Sequence, residues 1–204
     1  ILDHISKYSK NSNYLYRNLP YNFDTKHNQI LKFDKITFVY AGLLGVAQGL
    51  LKLIRILDQL DLDFEFHIYG DGKEKKEIEK FLLHNNKIKY LGSVSKEELL
   101  LILPKYHYSF VPLARDIKGA FPSKIYELIA INIPVIYIGK GEAKKFINKN
   151  AVGFTLSPEK INDISILIED ILHDRLIDYK ILIENCKLTS KNKLSFEKQT
   201  KELM

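Results

Sequence analysis

Short β-prone apolar runs alternate with amphipathic helical windows from Ile36 onward, and this alternation constrains the fold more than any other feature of the chain. Each apolar run has strand length, and each intervening window is long enough to cross over to a parallel neighbour. Such βαβ units build an α/β fold with a doubly wound parallel sheet, covered by helices on both faces. We therefore predict about six strands, at residues 36–40, 64–69, 88–91, 108–112, 135–138 and 153–156.

The helical windows show a period of 3.6 residues, which is typical of helices that lie on a sheet. In residues 49–60 the apolar side chains Leu50, Leu53, Ile54, Leu57 and Leu60 share one side. Ser95, with Glu98 three residues later, predicts an N-terminal capping box for the helix at residues 96–103. The remaining predicted helices cover residues 73–84, 96–103, 122–131, 142–148 and 158–173.

The chain divides into three parts by pattern. Residues 1–34 are polar and read as an interdomain linker remnant, and residues 35–173 form the predicted α/β domain. Residues 174–204 lack further strands, and we expect a helical tail that packs on the domain or toward a missing N-terminal domain. Because the chain begins without Met and without a signal-peptide pattern, we expect it to be part of a longer protein.

The charge pattern favours ordinary solvated helical faces over a nucleic-acid-binding patch. The formal net charge is +6 and the pI is near 9.1, but lysines alternate with glutamates, as in residues 73–80. No basic and aromatic interleaving accompanies them, so we predict no nucleic-acid partner. The one cysteine, Cys186, and six scattered histidines predict neither a disulfide framework nor a metal site. No apolar stretch is long enough to span a membrane, and we expect a cytoplasmic protein.

Ligands of doubly wound sheets bind beyond the carboxyl ends of the strands, so the residues that follow each strand are the candidate binding positions. The first such loop carries three glycines, which allow backbone amides to approach a phosphate. Each loop alone is equally consistent with an ordinary turn. The candidate positions in the first three loops are Gly42, Leu43, Leu44, Gly45, Gln48, Gly70, Asp71, Gly72, Lys73, Leu91 and Val94.

The segment from Gly119 to Ala130 is the most informative of these strand-end segments. A loop with small residues and a proline opens a helix, and Glu127 stands among apolar residues. A half-buried carboxylate costs free energy unless it is paired, so Glu127 requires a partner. Ribose hydroxyls would satisfy it, while the loop amides and Lys124 could meet a diphosphate. The alternative is a structural pair between Glu127 and Lys124 or a neighbouring backbone amide.

A dinucleotide-binding fingerprint is not present in the first loop. The glycines fall at Gly42, Gly45 and Gly49, which does not match G-x-G-x-x-G. An NAD-dependent oxidoreductase domain therefore remains the weaker of two alternatives. The other is a non-catalytic nucleotide-binding or scaffold module in which Glu127 is only structural.

Four segments in this order resemble the Rossmann-like C-terminal, donor-binding domain of GT-B glycosyltransferases of the family 4 type, especially bacterial members that build O-antigen or capsule polysaccharide. They are residues 38–50, 69–72, 90–94 and 122–136, which include Ala47-Gln48-Gly49 and Pro122-Ser123-Lys124. The resemblance covers residues 36 to about 156. The segment Asn18-Leu19-Pro20 is similar to the linker that joins the two halves of such enzymes.

The resemblance implies a donor-binding half of a retaining enzyme, with a UDP-type sugar nucleotide as donor and no obligatory metal or cofactor. It implies that Glu127 binds the ribose hydroxyls and that the backbone near Leu91 reads the base. Ser123 and Lys124, with residues 42–45, would lie near the diphosphate, and Lys124 and Glu127 are the candidate catalytic residues. Gly119 and Ala120 would lie beside the donor hexose.

The resemblance also implies partners: an acceptor-binding N-terminal domain across a cleft, and a polysaccharide or lipid-linked acceptor, with a possible peripheral membrane contact. We expect the chain by itself to be inactive. Two positions depart from the family pattern. Gly119 stands where many relatives have a first glutamate, and Leu44 and Gln48 lie where a loop Arg and Lys commonly neutralise the diphosphate.

Overall fold

Six parallel strands form one sheet in the computed structural model, which describes residues 35–114, 121–173 and 176–194. The strand order is β3-β2-β1-β4-β5-β6, and every neighbouring pair is parallel. This confirms the predicted doubly wound α/β fold, with strand ends that differ from prediction by one residue at β1 and β3. The strands are β1 Ile36–Ala41, β2 Phe64–Tyr69, β3 Ile88–Tyr90, β4 Tyr108–Pro112, β5 Val135–Ile138 and β6 Gly153–Leu156.

Seven α-helices lie in the described part of the chain, and five of them begin and end within two residues of a predicted window. The predicted helix at residues 158–173 is instead a 3₁₀ segment, Pro158–Asp163, which has non-helical dihedral angles at Lys160, followed by an α-helix. The helices are α1 Leu50–Asp58, α2 Lys75–Leu82, α3 Lys96–Ile102, α4 Lys124–Ala130, α5 Gly141–Asn150, α6 Ile164–His173 and α7 Leu176–Lys193.

Apolar side chains of the strands alternate between two cores, one on each face of the sheet. In β1, Phe38 and Tyr40 pack into one cluster, whereas Val39 and Ala41 pack into the other. This is the two-residue period expected of a strand buried on both sides. All five residues of the central strand β4 are buried, which explains why its sequence reads as a continuous apolar run.

A capping box fixes the start of α3, as the sequence predicts. The amide of Glu98 donates to Ser95 Oγ at 3.1 Å, and the amide of Ser95 donates to Glu98 Oε2 at 2.9 Å. The backbone bond from Ser95 holds the pKa of the Glu98 carboxyl below its usual range. These reciprocal bonds set the point at which the chain leaves β3 and enters α3.

The C-terminal helix α7 contacts α4 and α5 and contributes to both cores, with Tyr179, Leu182 and Ile183 in the first cluster and Cys186 in the second. Cys186 is fully buried there, and Asn185 Nδ2 donates to the carbonyl of Ala151 at 3.0 Å. The tail therefore covers the sheet rather than extending away from it over residues 176–194. The predicted linker at residues 1–34 lies outside the described residues.

The order of the strands creates a topological switch point between β1 and β4. Successive strands are added outward from β1 through β2 to β3, and outward from β4 through β5 to β6. The loops that follow β1 and β4 therefore diverge at the carboxyl edge and leave a crevice between them. This edge is where the sequence places the candidate site.

Candidate functional site

A cavity of about 320 Å³ opens at the carboxyl edge of the sheet, at the low end of the range of small-molecule sites. Its walls come from the ends of β1 and β2, the loop after β3, helix α3 and the first residue of α4. The cavity is lined by Ala41, Gly42, Leu43, Tyr69, Gly70, Asp71, Ser93, Val94, Leu99 and Lys124. The fold therefore brings together six predicted binding positions: Gly42, Leu43, Gly70, Asp71, Val94 and Lys124.

The lining combines an apolar surface with few polar groups. Tyr69, Val94 and Leu99 provide the apolar part, while Ser93 provides a hydroxyl and Lys124 an ammonium group. The backbone amide of Leu43 makes no hydrogen bond with any other described residue, so it keeps a donor for a ligand. A flat apolar group and an adjacent anion match this lining, as in sites that bind a nucleotide.

Two loops at this edge are joined to each other by backbone hydrogen bonds. The amide of Gly42 donates to the carbonyl of Tyr69 at 3.0 Å, and the amide of Leu44 donates to that of Asp71 at 2.8 Å. The amide of Glu74 then donates to the carbonyl of Leu44 at 3.0 Å. These bonds extend the β1–β2 pairing past the strand ends and form one wall of the cavity.

The glycines of the second loop are needed for this close approach. Gly70 has φ 145°, and a Cβ atom placed there would lie 1.8 Å from the carbonyl oxygen of Gly42. Gly72 has φ 154°, and its Cβ would lie 2.3 Å from the carbonyl oxygen of Leu44. Both glycines therefore let one loop approach the other, and Gly70 also lines the cavity.

Lys124 and Glu127 form an ion pair on the first turn of α4. Lys124 Nζ lies 2.7 Å from Glu127 Oε2, and the two side chains are 30% and 20% exposed. Glu127 thus has the partner that its burial requires, and the structural pair that the sequence left open as an alternative is present. Lys124 is part of the cavity lining, whereas Glu127 is not.

An aromatic cluster that sequence reasoning missed holds this turn of α4 in place. Phe121, just before the helix, stacks on Tyr126 with ring centroids 4.3 Å apart. Phe146 of α5 meets both rings edge-on at 5.5 and 5.4 Å. The five-residue spacing of Phe121 and Tyr126 is visible in the sequence. It does not predict an aromatic cluster by itself, because the cluster forms only when α5 packs beside the two rings.

The other predicted positions that the structure describes lie outside the cavity lining. Leu44 is fully buried in the core, so that it supports the loop, and the side chain of Leu91 is exposed. Gly45 and Gln48 lie farther along the first loop, where Gln48 Oε1 is buried and has no hydrogen-bond partner among the described residues. Gly119 and Ala120 lie outside the described residues. The remaining positions are Gly72 and the exposed Lys73 and Ser123.

Four residues of the lining are absent from the predicted set: Ala41, Tyr69, Ser93 and Leu99. Ala41 and Tyr69 are the last residues of their strands, so their position at the carboxyl edge was a usable signal. Leu99 reads as an ordinary apolar helix residue, and only the packing of α3 beside the edge brings it to the site.

The family model for glycosyl transferases group 1 matches residues 22–189 of the 204-residue chain. The chain belongs to this family. An uncharacterized glycosyltransferase from Methanocaldococcus jannaschii is 31% identical over 140 residues, which cover 68% of this chain and 38% of that protein. The resemblance of the sequence to a GT-B C-terminal domain is thereby confirmed.

Solved glycosyltransferase structures share the fold of this family member. Sucrose-phosphate synthase from Thermosynechococcus elongatus superposes with a TM-score of 0.71 at 18% identity, covering 85% of this chain and 45% of that one. HepE from Anabaena, in complex with UDP, gives 0.71 at 16% identity, covering 83% and 47%. The chain thus spans less than half the length of each of these proteins.

The described part of this group 1 domain has neither a membrane-spanning helix nor a cluster of metal ligands. No described helix is both long and apolar enough to cross a bilayer. Within residues 35–114, 121–173 and 176–194, no three His, Cys, Asp or Glu side chains converge on a common point.

A chain of polar side chains runs beneath the cavity floor of the group 1 domain. Tyr69 OH lies 3.0 Å from Tyr106 OH, which in turn lies 2.7 Å from His67 Nδ1. The second ring nitrogen of His67 lies 3.5 Å from Glu65 Oε2. Burial lowers the pKa of His67; Glu65 opposes this shift, while Lys89 adds to it.

The lowered pKa of His67 predicts a pH-dependent stability. The unfolded chain binds this proton near pH 6.5 and the folded chain binds it only at a lower pH, so the free energy of unfolding should fall as the pH drops below about 6.5. Urea unfolding at pH 7.5 and at pH 5.5 measures this loss. The His67→Gln variant, which keeps a hydrogen-bonding group, should lose less over the same interval; an equal loss in both proteins would contradict the assignment.

Proposed function

We propose that this domain binds the nucleotide-sugar donor of a retaining glycosyltransferase, with UDP as the nucleotide. The observation that carries the proposal is the cavity at the switch point, where Lys124 adjoins an apolar pocket. Membership of the glycosyl transferases group 1 family supports the transferase activity. HepE, which shares the fold, has been solved with UDP and with UDP-glucose.

The lining suggests where each part of the donor binds. The base and ribose occupy the apolar part between Tyr69, Val94 and Leu99, and Ser93 offers a hydroxyl to the base. The diphosphate lies toward Lys124 and the unpaired amide of Leu43, since both favour an anion. Glu127, one turn along α4 from Lys124, accepts hydrogen bonds from the ribose hydroxyls.

Lys124 acts as the catalytic group that this domain contributes. When the bond between the sugar and the diphosphate breaks, negative charge develops on the departing phosphate oxygen. A fixed ammonium and a backbone amide beside that oxygen stabilise the charge more in the transition state than in the bound donor. The reaction transfers a hexosyl or N-acetylhexosaminyl group and needs no general base from this domain.

The acceptor is bound by a second domain across the cleft, and closure of the two excludes water. The Methanocaldococcus jannaschii relative supports a second domain, since the matched residues cover only 38% of that protein. The acceptor is a polysaccharide or a lipid-linked saccharide, and the enzyme works in the cytoplasm, at the membrane surface in the lipid-linked case.

Calorimetric titration of the chain with UDP, GDP, ADP and NADH tests the donor assignment. We expect UDP to bind at least tenfold more tightly than NADH, because the glycine loop lacks the dinucleotide spacing. Tightest binding of NADH would favour an oxidoreductase domain. Absence of saturation by any nucleotide would favour a scaffold module, in which the Lys124–Glu127 pair is purely structural.

A further inference from the structure

The two charged groups assigned to the donor are bonded to each other. Lys124 Nζ donates to Glu127 Oε2 at 2.7 Å, across three residues of one helix. Lys124 lines the cavity but Glu127 does not. The carboxylate is therefore paired with a residue of the cavity lining.

We propose that the diphosphate takes Lys124 away from Glu127, and that Glu127 binds the ribose only after this exchange. The inference rests on the proposed function and adds to it a requirement: the site recognises the nucleoside only when a diphosphate is attached. Nucleosides without phosphate then bind weakly and without the Glu127 contact, although their base and ribose are the same.

The physical reason is the cost of separating a partly buried ion pair. The side chains are 30% and 20% exposed, so removal of one partner leaves a charge that water only partly solvates. Ribose hydroxyls are neutral and cannot replace the ammonium as a partner of comparable strength. A diphosphate offers Lys124 an anion in exchange for the carboxylate, and each group then regains a partner.

A second arrangement of the same residues gives a different prediction. Glu127 Oε1 makes no hydrogen bond with another described side chain, so the carboxylate could accept a ribose hydroxyl while Oε2 keeps Lys124. In that arrangement the ribose and diphosphate contacts are independent. Thermodynamic coupling between them distinguishes the two arrangements.

The Glu127→Gln variant tests the coupling with uridine and UDP as probes. Under the exchange, Glu127 contributes nothing to uridine binding, so the dissociation constant for uridine should change by less than about twofold. The dissociation constant for UDP should rise by about tenfold, the usual size of a charged hydrogen bond of 1.4 kcal/mol or more. Equal weakening of uridine and UDP would overturn the inference.

The Lys124→Met variant gives effects of opposite sign on the two probes. Loss of the ammonium weakens UDP binding by about tenfold or more, because the diphosphate loses its cation. The same change frees Glu127, so uridine should bind several-fold more tightly than it does to the unmodified chain. Uridine binding that is unchanged or weaker would contradict the exchange. Circular dichroism verifies that each variant is folded.

A matched ion pair on α5 provides the control. Lys145 Nζ lies 3.3 Å from Glu142 Oε1, with the same spacing of three residues, and both side chains are exposed and outside the cavity. The Glu142→Gln and Lys145→Met variants should bind uridine and UDP as the unmodified chain does. A change there equal to that of the α4 variants would point to a general charge effect and overturn the inference.

The outcomes separate this inference from the proposed function. If UDP does not bind the unmodified chain, the donor assignment fails and the exchange fails with it. If UDP binds and both probes respond equally to Glu127→Gln, only the exchange fails. A crystal structure of the UDP complex tests the exchange directly. The exchange requires the distance between Lys124 Nζ and Glu127 Oε2 to exceed 4 Å, and a distance near 2.7 Å would refute it.

Discussion

The Gly70→Ala variant should lose about 4 kcal/mol of unfolding free energy, since left-handed strain and steric overlap each cost roughly 1–3 kcal/mol. The added Cβ would lie 1.8 Å from the carbonyl oxygen of Gly42, at a φ of 145°. The obstacle is backbone, so it cannot rotate away as a side chain would. The first loop must move, and the cavity wall that it forms moves with it.

Chemical denaturation measures this effect, and Gly141→Ala serves as its control. Gly141 also has a positive φ, of 78°, but a Cβ atom there would meet nothing within 4 Å. The Gly141→Ala variant should lose only the free energy of the left-handed backbone conformation, about 1–2 kcal/mol. Similar losses for the two variants would mean that the loops are not in the close contact described. UDP binding should weaken in Gly70→Ala and not in Gly141→Ala.

The Phe38→Ala variant should lose about 3–5 kcal/mol of unfolding free energy, because it opens a cavity at the centre of the first core. Phe38 is fully buried, and its ring lies 5.6, 5.8 and 5.3 Å from those of Phe64, Tyr108 and Phe110. Phe64 lies on β2, and Tyr108 and Phe110 lie on β4, the two strands that flank β1. Since all three rings are fixed in the sheet, few neighbouring side chains can move to fill the cavity.

The same denaturation assay checks this prediction against Leu101→Ala, which removes an apolar side chain that is 65% exposed. That variant should lose less than about 0.5 kcal/mol. A loss below about 1 kcal/mol for Phe38→Ala would contradict the described core. Since Phe38 lies three residues before Ala41, the last residue of β1, the folded fraction of the variant should still bind UDP.

The sequence allowed the sheet to be predicted because the period of each segment depends on local residues. The alternation of Phe38 and Tyr40 with Val39 and Ala41 follows directly from burial on two faces. The capping box at Ser95 is also local, and it was found from four residues. The kink at Lys160 was missed, because nothing in the apolar pattern of residues 158–173 marks a change from 3₁₀ to α geometry.

The candidate site was predictable in outline because strand ends converge at one edge of a parallel sheet. The structural role of Gly70 and Gly72 was not, since it depends on hydrogen bonds between loops that are about 28 residues apart. Sequence reasoning also left the partner of Glu127 open. A side chain three residues away and a bound ribose are equally compatible with a half-buried carboxylate, and only coordinates place Lys124 at 2.7 Å.

The central claim is that a nucleoside diphosphate binds in the cavity at the carboxyl edge between α3 and α4. Titration of the isotopically labelled chain with UDP, followed by amide chemical shifts in NMR spectra, tests it most directly. The account predicts saturable shifts at the amides of Leu43, Gly70, Ser93 and Val94, with none at Lys87 or Val152, which precede strands at the opposite edge. Shifts at that opposite edge, or no saturable shifts around the cavity, would contradict the account.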